Sequence, residues 1–155
     1  MNVRLFKEED AFELSSMIQK TLLMVNSNDY SKASIQEYID LLTPQEMILR
    51  STWMHLYVVE LDGMIVGCGG IGFYWGSETE SSLFNIFVSA DHQRQGIGKK
   101  IIETLEKDEY YLRAKRIEIP ASVTGLPFYL KMGYTFKNNN KEIDEEGLYR
   151  LEKWK

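Results

Sequence analysis

The chain has 155 residues, 44% of them hydrophobic and 26% charged, which is enough for one domain with a buried core and short for two. A single domain over residues 1–155 is expected. Eighteen Lys and Arg against 23 Asp and Glu give a formal charge of −5, which disfavours a protein that binds nucleic acid by neutralising phosphates. The lone cysteine, Cys68, excludes an internal disulfide framework and a Cys-rich zinc module, and no metal site is expected. The opening MNVRLFKEED mixes apolar with charged residues and has no signal-peptide core, and the apolar run over residues 64–75 falls short of the roughly 20 residues a membrane helix needs. A cytoplasmic setting with no membrane partner is the expectation.

Residues 2–6 read as a short strand. Asp10 with Glu13 resembles a capping box opening a helix over residues 8–25, with Leu14, Ile18, Leu22 and Val25 as its buried stripe. Ser34 with Glu37 repeats the pattern, and Thr43, Pro44 and Glu46 give it again with proline where its missing N–H costs nothing, so residues 35–51 are mostly helical. From His55 the texture changes to strands: residues 55–61, an Asp62-Gly63 hairpin signal, residues 64–75, a polar turn, then residues 82–88. A helix over residues 95–108 follows, with Ile97, Ile101 and Leu105 on one face. After it come a strand at 116–119, a helix at 126–132, a strand at 134–136, a turn at 138–140 and a last strand at 147–154. The order β-α-α-β-β-β-α-β-α-β-β points to an α/β fold, a mixed and mostly antiparallel sheet flanked by helices on both faces.

Gly67, Gly69 and Gly72 spell G-x-G-x-x-G, the pattern of a dinucleotide-binding turn. That turn needs a helix directly after it to aim free N–H groups at a pyrophosphate, whereas here Phe73, Tyr74 and Trp75 lead into a polar turn. The glycines read instead as a bare strand that lets a neighbour come close, with Cys68 as a small core residue rather than a nucleophile. A second glycine motif lies where strand 82–88 runs into helix 95–108. Gly96 and Gly98 remove side chains where a phosphate has to approach the backbone, and the first helical turn leaves N–H groups unpaired. Residues 92–100 hold Arg94, Lys99 and Lys100 and no anion, a local +3 that leaves −8 for the rest of the chain. Glycine in a helix costs about 1 kcal/mol relative to alanine, and basic residues in a first turn oppose the helix dipole, so the arrangement makes sense with an anion bound there.

Gln93-x-x-Gly96-x-Gly98 resembles the acyl-CoA signature of the GCN5-related N-acetyltransferase (GNAT) superfamily, Q/R-x-x-G-x-G/A, and the order of elements is similar to that superfamily over nearly the whole chain. The stretch LFNIFVSADHQRQGIGK resembles the same segment of bacterial ribosomal-protein alanine N-acetyltransferases, although helices 8–25 and 35–51 do not match that group. Residues 128–134, FYLKMGY, resemble the recurrent F/L-Y-x-x-x-G-F/Y segment. The resemblance implies acetyl-CoA as acyl donor and direct attack by an amine in a ternary complex, with no enzyme nucleophile. It implies that strand 82–88 splays from its neighbour to admit the pantetheine arm, which pairs with the backbone of Ile86, Phe87 and Val88. Gln93, Arg94, Gln95, Gly96, Ile97, Gly98 and Lys99 then hold the pyrophosphate, with Lys99 or Lys100 reaching the nucleotide phosphates. Tyr129 aligns with the tyrosine that protonates the leaving thiolate, a role a phenol with a pKa of about 10 can fill at pH 7. The asparagine usual seven or eight residues earlier is absent; Ala121 and Ser122 stand there, and Ser122 can supply one of its hydrogen bonds.

Glu118 lies close to where the alanine acetyltransferases carry a catalytic glutamate, and it is the expected general base; Glu78, Glu80 and a backbone-bound water chain are alternatives. The need for a base depends on the acceptor, because an α-amine of pKa about 8 is neutral in roughly one molecule in ten at pH 7, and a lysine amine in about one in 2,500. The expected activity is N-acetylation of a primary amine on a small molecule or peptide. Protein N-terminal alanine acetylation and a CoA-binding regulatory protein without turnover are the alternatives. The acidic remainder of the chain favours a cationic amine as partner, and the resemblance allows a homodimer. Tyr74 and Trp75 read as acceptor-side or edge-packing residues, and Trp154 as core or subunit contact.

Overall fold

Asp62 and Gly63 both take positive φ, 52° and 79°, the conformation that fits a two-residue hairpin to the twist of its strands. The turn joins β2 (Met54–Leu61) to β3 (Met64–Phe73), and β3 returns antiparallel into β4 (Glu80–Val88), so the expected meander is present. β1 (Asn2–Leu5) adds to the outer edge of β2. The computed structural model describes residues 1–155, and its sheet continues through β5 (Arg116–Ala121), with β6 (Thr135–Phe136) and β7 (Tyr149–Trp154) closing the far side. The strand order is β1-β2-β3-β4-β5-β7-β6, and only β4 and β5 run parallel.

Helices cover both faces. On one side α1 (Ala11–Met24), α2 (Lys32–Leu41) and α3 (Pro44–Ser51) bury Leu14, Ile18, Ile35 and Met47 against Leu56, Val58 and Cys68. On the other, α4 (Ile97–Leu105) and α6 (Leu126–Lys131) bury Ile97, Ile101, Leu105 and Tyr129 against Val59, Ile71, Ile117 and Ile119. Each such aliphatic side chain removed from water contributes about 1.5–3 kcal/mol.

Several local expectations shift. Asp10 and Glu13 make no capping box: Asp10 accepts from Lys7 N–H (2.8 Å) and pairs with Arg4, while Glu13 accepts from Ile65 N–H at 2.7 Å. α2 is capped three residues earlier than the Ser34 pattern suggests, because Ser31 Oγ accepts from Ser34 N–H. Thr43 does cap α3, and with Pro44 it splits the expected 35–51 helix in two. The helix expected over 95–108 is shorter, with α4 ending at Leu105, and Asp108 caps a separate turn, α5 (Glu109–Leu112), through Tyr110 N–H at 2.8 Å. Trp154 is exposed, so it is not core.

The glycine-rich strand is the bare surface expected of it. A Cβ on Gly69 would stand 2.4 Å from Ile101 Cγ2, and one on Gly67 would stand 2.9 Å from Ile97 Cγ2, so α4 lies closer to β3 than any larger residue allows. Gly69→Ala should overpack this contact and lower stability by about 1–3 kcal/mol, read from urea unfolding. Arg4 holds the Asp10 carboxyl below the usual carboxylate range, so the stability it contributes is complete above about pH 4 and lost as the pH falls through its folded value. Asp10→Asn should therefore flatten the acid limb of a stability–pH curve.

Candidate active site

β4 and β5 pair at only three positions, Glu80 with Arg116, Ser81 with Ile117 and Ser82 with Glu118, and then part. Asn85 takes a positive φ of 53° where the β3–β4 register slips between Cys68 and Gly70, a bulge that bends β4. Pro120, on the stretch of β5 that has lost β4, has no N–H to offer a ladder and is tolerated because none is needed there. The opening is a cavity of about 1130 Å³ lined by both strands and by residues of α1, α2, α3, α4 and α6. Ser89 N–H donates to Val66 O on β3 (2.8 Å), so by alternation the peptide groups of Ile86 and Val88 face the opening. Val88 O is met there by Gln93 Nε2 at 2.6 Å.

After β4 the chain makes a tight turn at Ala90–His92, and then Arg94 (φ 61°) and Gly96 (φ 80°) both adopt the left-handed conformation before α4 starts at Ile97. Gly96 occupies the N-cap without a side chain, so no side-chain oxygen takes the first-turn N–H groups of a nine-residue helix. Those donors, the positive end of the helix dipole, and the side chains of Arg94 and Lys99 make a fit for an anion. Gly98 sits against Phe128, where a Cβ would come within 3.1 Å of the ring. Gln93, Arg94, Gly96, Ile97, Gly98 and Lys99 line the cavity, as do Ile86, Phe87 and Val88; Gln95 does not, its side chain being exposed, and neither does Lys100.

Tyr129 reaches the cavity from α6, and Gly125 makes room for it, since a Cβ there would lie 2.9 Å from its Cε2. Burial, with a smaller push from Cys68, drives its phenol well above the ordinary value. Ser122 also lines the cavity; its Oγ accepts from Gly125 N–H at 2.9 Å and keeps its own O–H to donate. Cys68 is wholly buried, its thiol donates to Asn85 O at 3.0 Å, and burial pushes it up to about 12, which agrees with a core residue.

Glu118 is placed elsewhere. It alternates with Ile117 and Ile119, which share the core of Tyr129, so its side chain faces the other side of the sheet. Its carboxylate pairs with Arg116 Nη1 (3.0 Å), Lys137 Nζ (2.8 Å) and, at 3.9 Å, Arg150 Nη1. Arg116 also binds Glu80 on β4 and Glu152 on β7, and it lies over the Tyr74 ring. The expectation of Glu118 as base is corrected on placement: it belongs to a buried ion cluster that ties three strands together, and it does not line the cavity. Glu80 is committed to the same cluster, and Glu78 is exposed. No Asp or Glu lines the cavity at all; its charged residues are Arg50, Arg94, Lys99 and Lys131. The acidity of the chain therefore does not extend into this cavity.

Three residues of the site went unread in the sequence. Arg50 binds Glu46 through Nε (3.0 Å) and Asn85 Oδ1 through Nη1 (2.7 Å), which ties α3 to the bulge. Tyr30 accepts from Val123 N–H (2.8 Å) and donates to Gly147 O (2.9 Å), joining three loops beside the cavity. Asparagine inside a strand pattern is a signal of a bulge, because it tolerates positive φ; Arg50 and Tyr30 give no local signal.

A sheet that splays at a parallel pair, with a glycine-opened helix at the mouth, defines the GNAT fold. Residues 52–136 match the family described as an acetyltransferase (GNAT) domain, and the chain belongs to that family, as an N-acetyltransferase. Among solved structures it is similar to PaiA N-acetyltransferase from Thermoplasma acidophilum in complex with coenzyme A, at 16% identity and TM-score 0.83, covering 99% of this chain and 98% of that one. It is also similar to a GCN5-related N-acetyltransferase from Rhodopseudomonas palustris (18% identity, TM-score 0.79, 99% and 94% covered). An aminoglycoside 6′-N-acetyltransferase complexed with coenzyme A matches at 16% identity and TM-score 0.69, over 98% and 94%. No curated protein matches the sequence. No helix is long and apolar enough to cross a membrane. Glu118→Gln should lower stability by about 3 kcal/mol in urea unfolding by leaving buried cations undercompensated, while the shape of the activity–pH profile stays that of the parent.

Proposed function

We propose that this protein acetylates a primary amine of a small molecule or peptide by direct attack in a ternary complex with acetyl-CoA. The observation that carries the reading is one cavity shared by the α4 N-terminus, the free edge of β4 and Tyr129. Coenzyme A in two of the similar structures supports it. When bound, the cosubstrate supplies a thioester carbonyl and an anionic pyrophosphate. The Arg94–Gly96 turn and the N–H groups of Ile97, Gly98 and Lys99 bind the anion, and the Arg94 and Lys99 side chains add charge. The backbone of Ile86, Phe87 and Val88 receives the amide arm as an added strand, once Gln93 releases Val88 O, and Ser122 O–H donates to it.

Bond formation between the amine nitrogen and the acetyl carbon breaks the carbon–sulfur bond. Tyr129, which burial keeps protonated, then gives its proton to sulfur as the thiolate leaves and is reprotonated from water, which also takes the proton the amine loses. With no carboxylate in the lining, the amine reacts as its neutral form and its proton leaves to water. Peptide α-amines enter the acceptor class through the LFNIFVSADHQRQGIGK likeness alone.

Calorimetry should show acetyl-CoA binding to the folded protein, and a thiol assay should show free CoA when an amine panel is added; a folded protein that does not bind acetyl-CoA sinks the proposal. Tyr129→Phe should lower kcat about 100-fold while acetyl-CoA affinity holds. The parent kcat/KM should rise with pH up to the pKa of the acceptor amine and then level, following the acceptor rather than an enzyme carboxylate.

A further inference from the structure

We infer that Arg50 selects acceptors bearing a carboxylate close to the reacting amine, a conclusion that rests on the acetyltransferase reading of the same cavity. Arg50 lies near the end of α3 with its side chain 21% exposed, and it lines the cavity. The other three lining cations lie on the opposite helical layer or at its mouth: Arg94 and Lys99 at the start of α4, Lys131 on α6. Arg50 alone comes from the α1–α3 side, and its bond to Asn85 sets it beside the β4 bulge. The cavity walls contributed by α2, the α2–α3 link and β4 include the apolar or aromatic Ile35, Tyr38, Leu41, Leu42 and Phe84.

Its guanidinium is held from two sides. Glu46 takes Nε and Asn85 takes Nη1, and neither contact uses Nη2, which has two N–H donors to give. A guanidinium fixed in this way loses little side-chain freedom when it binds a planar anion, and a charge-assisted bond in a poorly hydrated site is stronger than one in water. A second ammonium group on the acceptor would find no counter-charge here, because no Asp or Glu lines the cavity. The acids that touch lining residues, Glu46 on Arg50 and Asp29 on Thr124, are already bonded and do not themselves line the cavity. An amino acid or a short peptide with a free C-terminus presents this pairing of amine and carboxylate; a polyamine does not.

The test compares amino acids with small, branched, aromatic and acidic side chains, and glycylglycine, against their C-terminal amides, with spermidine as the polycation. Each is measured by CoA release at saturating acetyl-CoA, and by the shift in melting temperature it gives the CoA-loaded protein. The acids should exceed their amides in one or both readouts. Arg50→Met should cut the acid-to-amide ratio about 10- to 100-fold, through KM of the acid, with the Kd of acetyl-CoA unchanged. Arg50→Lys, which keeps charge but not the fork, should recover part of that ratio. Preference for amides or spermidine, equal behaviour of acids and amides in both readouts, or a ratio untouched by Arg50→Met overturns the inference while acetyl-CoA binding stands. Failure to bind acetyl-CoA overturns the acetyltransferase reading itself.

Discussion

Three parallel register pairs join β4 to β5, and the place where they stop positions every functional group of the molecule. At the closed end Arg116 gathers carboxylates from β4, β5 and β7 on one face of the sheet, while Leu83 and Ile117 pack into the core on the other, so the apex of the wedge is held by charge as well as by apolar packing. Such a cluster is a modest source of net stability, yet the loss of one partner leaves a buried charge uncompensated. At the open end a bulge and a proline prevent the ladder from continuing, and the unpaired edge of β4 becomes available to a guest chain.

Depth matters as much as opening. α4 seats on β3 over Gly67 and Gly69, and the missing side chains fix how near its first turn stands to the sheet. The turn that opens α4 is thus placed by residues on the strand behind it. Charge is separated in a similar way. A chain of net −5 encloses a cavity whose charged lining residues are all cationic, because the acids are spent on ion pairs or stand in solvent. Net charge describes the surface a partner meets first, and the lining describes what it meets last.

The fold was largely legible because its signals are local: the Asp62-Gly63 turn, the Thr43 cap, the helical stripe of Ile97, Ile101 and Leu105, and the glycines that betray close approach. The left-handed turn that opens α4 was legible for the same reason, since glycine spacing is read along one stretch of chain. Asp10 stays at the N-cap position without capping, because Arg4 and Lys7 N–H take its carboxylate and Ile65 N–H takes that of Glu13. Glu118 was misplaced because its place in the alanine-acetyltransferase likeness was followed rather than its alternation with Ile117 and Ile119, which sends its side chain to the face away from their core. Arg50 and Tyr30 were invisible because their partners lie 35 and 93 residues away.

Asn85 draws these threads into one residue. Its backbone makes the bulge, its carbonyl receives the Cys68 thiol, and its side chain steadies Arg50. The edge proposed to receive the donor and the wall proposed to meet the acceptor therefore have a common support. A change of residue there would disturb both in a single step, so acceptor preference and turnover cannot be tuned independently at this position. New specificities on this scaffold have freer room in α2 and in the loops joined by Tyr30, whose side chains shape the cavity without holding the strand.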